Sequence, residues 1–274
     1  MEFFMRYNDP LCLKANSVKI GLYDFGYARV NSEWNVRAIA PPFTRLYYIV
    51  DGKGYIEYGN KKLEMTPGHW CLIPSDFSCY FRCDNMMEHL YFHVTLSGID
   101  EIDLLSGFNE PFFLKDETNP HLSFMDYLKS DSLYDALILK EKVHNVVLHL
   151  LEKKGLTLEV AELSQCVQKA IEFINNHIYE KLDVVTVAEY SYVSKCTLSN
   201  KFKNELKITI NEYILRQKMF KAEQLLRSSN MSIAQISQTL GFSEQFYFSR
   251  CFKKRHGMSP ARYRKSEILF LPYV

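Results

Sequence analysis

Three polar side chains in the last third of the sequence are of the types that read the edges of nucleic-acid bases. Arg250 suits paired hydrogen bonds to guanine, and Gln245 and Asn200 suit adenine. Each stands beside two large apolar residues spaced four apart, which on a helix share one side. Since that apolar side packs inward, the polar side chains are expected to face outward, where a groove of DNA could receive them.

Two helices are expected to carry these side chains, one beginning after Ser194 and the other after Ser243. Their inward pairs are Leu198 with Phe202 and Phe248 with Phe252. Their outward sets are Lys195, Cys196, Ser199 and Asn200 in the first helix and Glu244, Gln245, Ser249 and Arg250 in the second. The flanking Lys201 and Lys254 are expected to meet phosphates, which position a protein on DNA. The alternative for any one lysine is a solvated helix face.

The region 184–265 contains one short unit twice, at an offset of 49 to 50 residues. In the second copy, Ser232 and Gln235 have the spacing of a capping box. Gly241 then suits a left-handed turn, and Ser243 is expected to cap the helix that follows. The repeated pattern predicts two helix-turn-helix units.

A helix from Thr209 to about Ser228 is expected to join the two units, with Thr209 and Glu212 spaced as a second capping box. Roughly 20 residues at about 1.5 Å each span about 30 Å. That length is close to the ~34 Å of one turn of B-DNA. The two outward faces could therefore enter successive major-groove segments on one side of a duplex.

The second unit resembles the signature of AraC/XylS transcription regulators, and the resemblance covers about residues 166–266. The matching segments are Gly241-Phe242-Ser243, Tyr247-Phe248-Ser249-Arg250, Phe252-Lys253-Lys254, Gly257-Met258-Ser259-Pro260 and Tyr263-Arg264. In the first unit, Tyr192 and Lys207 stand where the family usually has glycine. The resemblance implies that the outward sets enter the major groove of double-stranded promoter DNA, and that RNA polymerase is a further partner.

The charge of the chain is divided between its two parts. Residues 166–274 carry 17 Lys and Arg against 9 Asp and Glu, a net charge of +8. Residues 1–165 carry 16 against 23, a net charge of −7. A basic C-terminal part beside an acidic N-terminal part is typical of a protein that binds DNA through one domain.

Composition indicates a cytoplasmic protein with reduced thiols. The seven cysteines are an odd number without a paired framework. No apolar run approaches the ~20 residues that span a membrane, so no membrane partner is expected. The 274 residues suffice for two ordinary domains.

The fold class predicted is α+β with two domains. Residues 1–160 are expected to form an antiparallel β-barrel, cupin-like or jelly-roll, with strands over about 14–112 and helices over about 121–154. Residues 161–274 are expected to form an all-α double helix-turn-helix domain. Within the barrel, residues 51–54 are predicted to be a turn between strands. Gly52-Lys53-Gly54 and residues 67–74 resemble the cupin-like sensor domain of AraC-type regulators.

The apolar stripe over residues 121–154 has two readings. Its helices could cover the barrel, or one face could pair with a second copy in a homodimer, and both could hold. The stripe includes Val143, Val147, Leu150 and Leu151.

A small-molecule effector, such as a carbohydrate or a small anion, is expected to bind inside the barrel. The candidate residues are Arg45, Tyr47, Tyr80, Tyr91 and His93. Aromatic faces stack on the CH groups of a sugar, and polar side chains fix its hydroxyls. The alternative is that these residues merely fill the barrel.

No metal, cofactor or catalytic residue is predicted. The first expected hairpin lacks the His-x-His pair of cupin enzymes, and His89 and His93 would lie ~13 Å apart along a strand. No Gly-x-Ser-x-Gly or phosphate-binding loop occurs. The resemblance to AraC/XylS regulators implies an effector-dependent transcription regulator, which in that family is most often an activator. A cupin enzyme fused to a DNA-binding domain and a ligand-independent dimeric regulator are the alternatives.

Overall fold

The computed structural model describes residues 9–38, 41, 43–98, 103–116, 118–158 and 163–269. The predicted boundary between residues 160 and 161 lies outside these ranges. In chain order the elements are α1 (Asp9–Asn16), β1 (Lys19–Asn31), β2 (Asn35–Ala38), β3 (Thr44–Tyr58), β4 (Lys61–Met65), β5 (His69–Ile73), β6 (Cys79–Ser97), a 3₁₀ turn (Leu104–Gly107), β7 (Phe112–Lys115), α2 (His121–Leu128), α3 (Leu133–Lys153), α4 (Gln165–Asn176), α5 (Val184–Tyr190), α6 (Lys195–Leu206), α7 (Ile210–Ser228), α8 (Ile233–Thr239), α9 (Gln245–His256) and α10 (Pro260–Leu269).

The N-terminal part is an antiparallel sheet, as predicted. Its central order is β1-β6-β3-β5-β7, with β2 on β6 and β4 on β3. Within the described residues β1 and β7 do not pair, so the sheet path is open where a closed barrel was expected. β2 and β7 are each only four residues long, and β7 extends beyond the range of about 14–112 expected for strands.

The predicted turn at residues 51–54 is wrong, because β3 runs straight through it. Two register shifts absorb the glycines, one between Ile49 and Asp51 and one between Gly52 and Gly54. Gly52 has φ +74°, and a Cβ there would lie 2.1 Å from the carbonyl oxygen of Met86 on β6. Close approach of a neighbouring strand, which a β-bulge accommodates, explains the glycine.

Helices α2 and α3 cover one face of the sheet. Leu139, Val143, Val147, Leu150 and Leu151 of α3 share one buried cluster with sheet residues such as Leu46 and Phe92. The covering role predicted for this stripe is therefore confirmed. Leu133, Tyr134 and Leu137, at the start of α3, remain exposed.

The C-terminal part contains two helical units with separate cores, and α7 contributes to both. Tyr213 and Ile214 lie in the first core and Met219, Ala222 and Leu226 in the second. The long joining helix predicted from sequence is thus confirmed, and it is the shared element of the two units.

The capping predictions hold in part. Thr209 accepts a hydrogen bond from the Glu212 amide, which is one half of the capping box predicted there. Ser194 accepts a hydrogen bond from the Thr197 amide, and Ser232 with Gln235 forms a complete capping box. The prediction for Ser243 is wrong, since Glu244 occupies the N-cap position of α9 and makes no side-chain cap. The second unit has one more residue between Ser243 and Phe248 than the first unit has between Ser194 and Leu198. This extra residue shifts the cap by one position.

The two turns have equivalent backbones despite different residues. Gly241 has φ +67° and Tyr192 has φ +57°. After α9, Gly257 has φ +74°, and after α6, Lys207 has φ +60°. The first unit therefore keeps the left-handed turns that the second makes with glycine.

No helix in the described ranges is both long and apolar enough to span a membrane. Nor do the described residues contain a group of three His, Cys, Asp or Glu side chains suited to hold a metal ion.

Candidate nucleic-acid interface

Helices α6 and α9 each bury one face and expose another. Leu198, Phe202 and Leu206 are buried on α6, and Phe248 and Phe252 on α9. The exposed members of the predicted sets are Lys195, Cys196, Asn200, Lys201, Glu244, Gln245, Arg250 and Lys254. Ser199 and Ser249 are half-buried beside the inward pairs. The structure thus gathers each predicted set along one helix.

Arg250 is held by aromatic neighbours on its own unit. Its guanidinium carbon lies 5.9 Å from the ring centroid of Tyr247. Tyr247 in turn lies 6.0 Å from Phe242 in the turn before α9. A guanidinium over an aromatic face is partly ordered before it binds, which reduces the entropy lost on contact with a base.

Asn200 occupies the equivalent place on α6 and has a different neighbour. Its amide nitrogen lies 3.8 Å from the Cys196 sulfur, one helical turn earlier. The two outward faces therefore differ chemically.

The spacing of α6 and α9 depends on a buried cation in α7. The Lys218 ammonium donates to the carbonyl oxygens of Glu180 at 2.7 Å and Leu240 at 2.6 Å. Burial lowers the pKa of Lys218. Because Glu180 follows α4 of the first unit and Leu240 ends α8 of the second, this side chain ties the two units together.

Comparisons with known proteins agree with this arrangement. Residues 187–266 match a helix-turn-helix domain family. The chain is 26% identical to the Msm operon regulatory protein of Streptococcus mutans over 80% of this chain and 83% of that protein. It is also 26% identical to the arabinose operon regulatory protein of Escherichia coli, over 78% of each chain. The chain is a DNA-binding transcription regulator that is similar to AraC-family operon regulators over most of its length.

A solved structure extends the likeness to the fold of nearly the whole regulator. Apo ToxT from Vibrio cholerae superposes with a TM-score of 0.60 over 91% of this chain and 97% of that chain, at 14% identity. That likeness concerns the fold, in which an antiparallel sheet domain precedes a helical domain.

The sheet of the regulator contacts its DNA-binding helices through one aspartate at a left-handed turn. Asp76, with φ +59°, follows β5. Its carboxylate accepts hydrogen bonds from Arg216 of α7 at 2.6 Å and from Arg255 of α9 at 2.9 Å. Arg255 is the neighbour of Lys254, for which a phosphate contact is expected, but its own guanidinium is engaged by Asp76.

A second contact joins Asp24 of β1 to Arg227 of α7. The Arg227 Nη1 lies 2.9 Å from the Asp24 Oδ2. Arg227 also pairs with Glu223 at 3.0 Å and donates to the Tyr263 hydroxyl. Burial raises the pKa of Asp24, and Arg227 opposes that rise. Nothing in the sequence around Asp24 or Asp76 predicts these contacts.

Four of the five predicted effector residues lie together inside the sheet. Arg45 pairs in register with His93, and Tyr47 with Tyr91. Arg45 is only 3% exposed and donates to the carbonyl of Phe77 at 3.0 Å. Tyr80 faces the other way, 40% exposed beside Arg37, because side chains alternate along β6. Tyr80 is therefore separated from the other four.

The interior around these residues is filled by their own rings. Tyr47 and His89 have ring centroids 5.3 Å apart, and Phe43 stacks on His93 at 4.4 Å. Burial and the nearby Arg227 and Arg45 hold the pKa of His93 well below its usual range. The His93 Nδ1 lies 3.4 Å from the Asp24 Oδ2.

Open volume lies instead between the sheet and α7. A cavity of about 260 Å³ is lined by Lys19, Tyr23, Asp76, Arg216 and Lys221, among others. A neighbouring cavity of about 340 Å³ is lined by Phe43, Phe220 and Arg227. Tyr23 and Phe220 separate the two, edge to face at 4.7 Å.

The buried His89 is expected to make the stability of the regulator depend on pH. Burial lowers the pKa of His89 to about 4, whereas an unfolded histidine titrates near 6.5. The unfolded chain therefore binds more protons between these values, so stability is fully present above about pH 6.5 and falls towards pH 4. We expect His89→Leu to remove up to about 3 kcal/mol of this loss, at about 1.36 kcal/mol per pKa unit.

Urea titrations at pH 4.5 and 7 measure this difference against the parent protein. Asp103 acts in the opposite sense, because burial raises its pKa to about 6. The folded chain therefore binds more protons than the unfolded chain near that pH, and the contribution of Asp103 to stability rises as the pH falls. It is present in both proteins and cancels in the comparison. Leu148→Ala, on the exposed side of α3, is the control, because it removes no titratable group and should leave the pH dependence unchanged. Equal slopes for all three proteins would contradict the assignment to His89.

Proposed function

We propose that this regulator binds promoter DNA through α6 and α9 and that a small molecule bound near the sheet controls this binding. The observation that carries the proposal is the placement of two exposed polar helix faces on one joining helix, fixed by Lys218. α7 has 19 residues, about 28 Å at about 1.5 Å each. That length suits successive major-groove segments of one duplex.

Within this proposal, residues 161–274 bind the DNA and residues 1–160 sense the effector. Arg250 and Gln245 read bases from α9, and Asn200 does so from α6, with Lys195, Cys196, Ser199, Glu244 and Ser249 lining the same surfaces. Lys201 and Lys254 meet phosphates. The net charges, +8 over residues 166–274 and −7 over residues 1–165, support this division.

The effector proposed is a small carbohydrate. Several relatives are named as regulators of the arabinose, raffinose and lactose operons, the last as an activator. The groove between the sheet and α7 is the site favoured, because the interior around Arg45, Tyr47 and Tyr91 is filled. His93 lies between the filled interior and this groove, because Phe43 stacks on His93 and also lines the groove.

The remaining features complete the proposed mode of action. The sheet domain is proposed to be a cupin-like sensor whose described strands do not close into a barrel. The exposed start of α3 is the proposed contact with a second copy in a homodimer, and RNA polymerase is the partner at the promoter. No enzymatic activity is proposed, since the relatives named are regulators of transcription.

Arg250→Ala tests the assignment of base contacts. We expect it to weaken binding to the specific site by about 1–3 kcal/mol and to relax base preference at one position, because a bidentate contact to guanine is lost. Selection of binding sites from random duplexes by the full-length protein, followed by titration of the selected site, measures both effects.

Lys254→Ala is the matched control, one helical turn further along the same face. It should weaken all sequences about equally and lower the salt slope by about one unit, because a phosphate contact releases a counterion. If Arg250→Ala keeps the parent base preference and only weakens binding, Arg250 touches phosphate alone. If the full-length protein selects no sequence, the proposed function itself fails.

A further inference from the structure

A phenylalanine that sequence reasoning passed over lies on the outward face of α9. Phe246 is 82% exposed at the second position of the helix. Phe246 and Arg250 are four residues apart, so they are neighbours on one helix face. The N-terminal turns of a recognition helix are those that approach base edges most closely.

The neighbours of Phe246 pack back onto the protein and its own ring does not. Phe242, Tyr247, Phe248, Phe252 and Tyr263 form a chain of ring contacts. Within the described part of the chain, Phe246 belongs to none of these contacts, nor to the buried core of the second unit. A single exposed apolar side chain is common on protein surfaces. An exposed apolar side chain next to an arginine proposed to read a base is, however, within reach of the apolar groups on neighbouring base edges.

We infer that Phe246 reads a thymine in the major groove through contact with its 5-methyl group. This inference rests on the proposed function, in which α9 enters the groove. The thymine methyl is the apolar group that base edges offer there, and phenylalanine is among the side chains that contact it. Because Phe246 and Arg250 are adjacent on the helix, the thymine lies within about two base pairs of the guanine read by Arg250.

The first unit has no counterpart to this contact. Cys196 occupies the equivalent position on α6, beside Asn200. Its thiol is much smaller than a phenyl ring and offers little apolar surface to a methyl group. The site read by the protein is therefore asymmetric, and the thymine belongs to the half bound by α9.

Deoxyuridine scanning isolates the methyl group, because uracil differs from thymine only in lacking it. The full-length protein is titrated with its selected duplex and with duplexes in which each thymine in turn is replaced by deoxyuridine. We expect one replacement, next to the Arg250 guanine, to weaken binding about three- to fivefold, as burial of one methyl group implies. Phe246→Ala should lose about the same factor on the thymine duplex and be insensitive to that replacement.

Tyr192→Ala supplies the matched control. Tyr192 is also 82% exposed, but it lies in the turn of the first unit rather than on α9. This variant should keep the parent sensitivity to deoxyuridine. If the parent binds its selected site yet ignores every deoxyuridine, or if Phe246→Ala keeps the sensitivity, the role of Phe246 is overturned while DNA binding stands. If no duplex is selected at all, both proposals fall.

Discussion

Replacing Gly241 with alanine is expected to lower the free energy of unfolding of the helical part by about 2–5 kcal/mol. Gly241 has φ +67°, a conformation that costs an L-residue about 1–2 kcal/mol. A Cβ there would also lie 2.5 Å from the carbonyl carbon and oxygen of Glu180, which are backbone atoms. Overpacking of this kind costs about 1–3 kcal/mol more.

The clash has a functional consequence, because the Glu180 carbonyl accepts a hydrogen bond from Lys218. Moving Glu180 away from a Cβ at position 241 disturbs the side chain that ties the two units together. Thermal unfolding followed by circular dichroism at 222 nm reports the helices, and a titration of the selected duplex reports their spacing. We expect both stability and specific binding to fall.

Two variants separate strain from clash. Gly59→Ala places the same side chain at φ +53° with no atom within 4 Å, so it should cost only the backbone strain. Tyr192→Gly relieves that strain in the equivalent turn of the first unit, at the loss of a cation–π contact with Lys169 at 4.5 Å. It should change stability by less than about 1 kcal/mol. If Gly241→Ala costs no more than Gly59→Ala, the contact with Glu180 is unimportant.

The helical part could be predicted from sequence because its signals are local. The capping box of Ser232 and Gln235 lies within four residues, and the inward pairs are one helical turn apart. Tyr192 and Lys207 adopt left-handed turns that their residue types disfavour, because the helices on either side must pack as in the second unit. The repeat, rather than the residue, was the reliable signal there.

The sheet was harder to predict, because its decisive contacts are between distant strands. Whether Gly52 forms a turn or a bulge depends on the approach of Met86, and nothing near Gly52 in the sequence encodes that. The same holds for Tyr80, whose outward direction follows from its register with Glu57. Asp76 binds arginines 140 and 179 residues away, a distance over which a single sequence has no pattern to offer. The roles assigned to the base-contacting and effector residues stay predictions.

Asp76→Ala is expected to separate the unfolding of the sheet from that of the helices. The substitution leaves Arg216 and Arg255 next to each other without their shared acceptor. Removing one partner of a buried ion pair costs about 3–5 kcal/mol, and partial exposure of these side chains reduces this to about 2–4 kcal/mol. Burial lowers the pKa of Arg255 and Asp76 opposes that effect, so loss of the carboxylate leaves a poorly solvated cation between α9 and the sheet.

The chain offers separate probes for its two parts. Its two tryptophans, Trp34 and Trp70, both lie in the sheet part, so their fluorescence reports that part alone. Circular dichroism at 222 nm is dominated by the helices. In the parent protein the two signals should change at nearly the same temperature, because the ion pairs of Asp76 and Asp24 couple the parts. In Asp76→Ala the helices should unfold at a lower temperature than the sheet.

Glu212→Ala is the matched control, since it removes the same charge from the same arginine. Glu212 pairs with Arg216 at 3.0 Å within α7, four residues earlier. Such an exposed pair contributes about 0.2–0.5 kcal/mol and does not connect the sheet to the helices. The two transitions should therefore stay together in Glu212→Ala. Equal behaviour of the two variants would mean that Arg216 acts only within its own helix and that Asp76 does not couple the sensor part to the DNA-binding part.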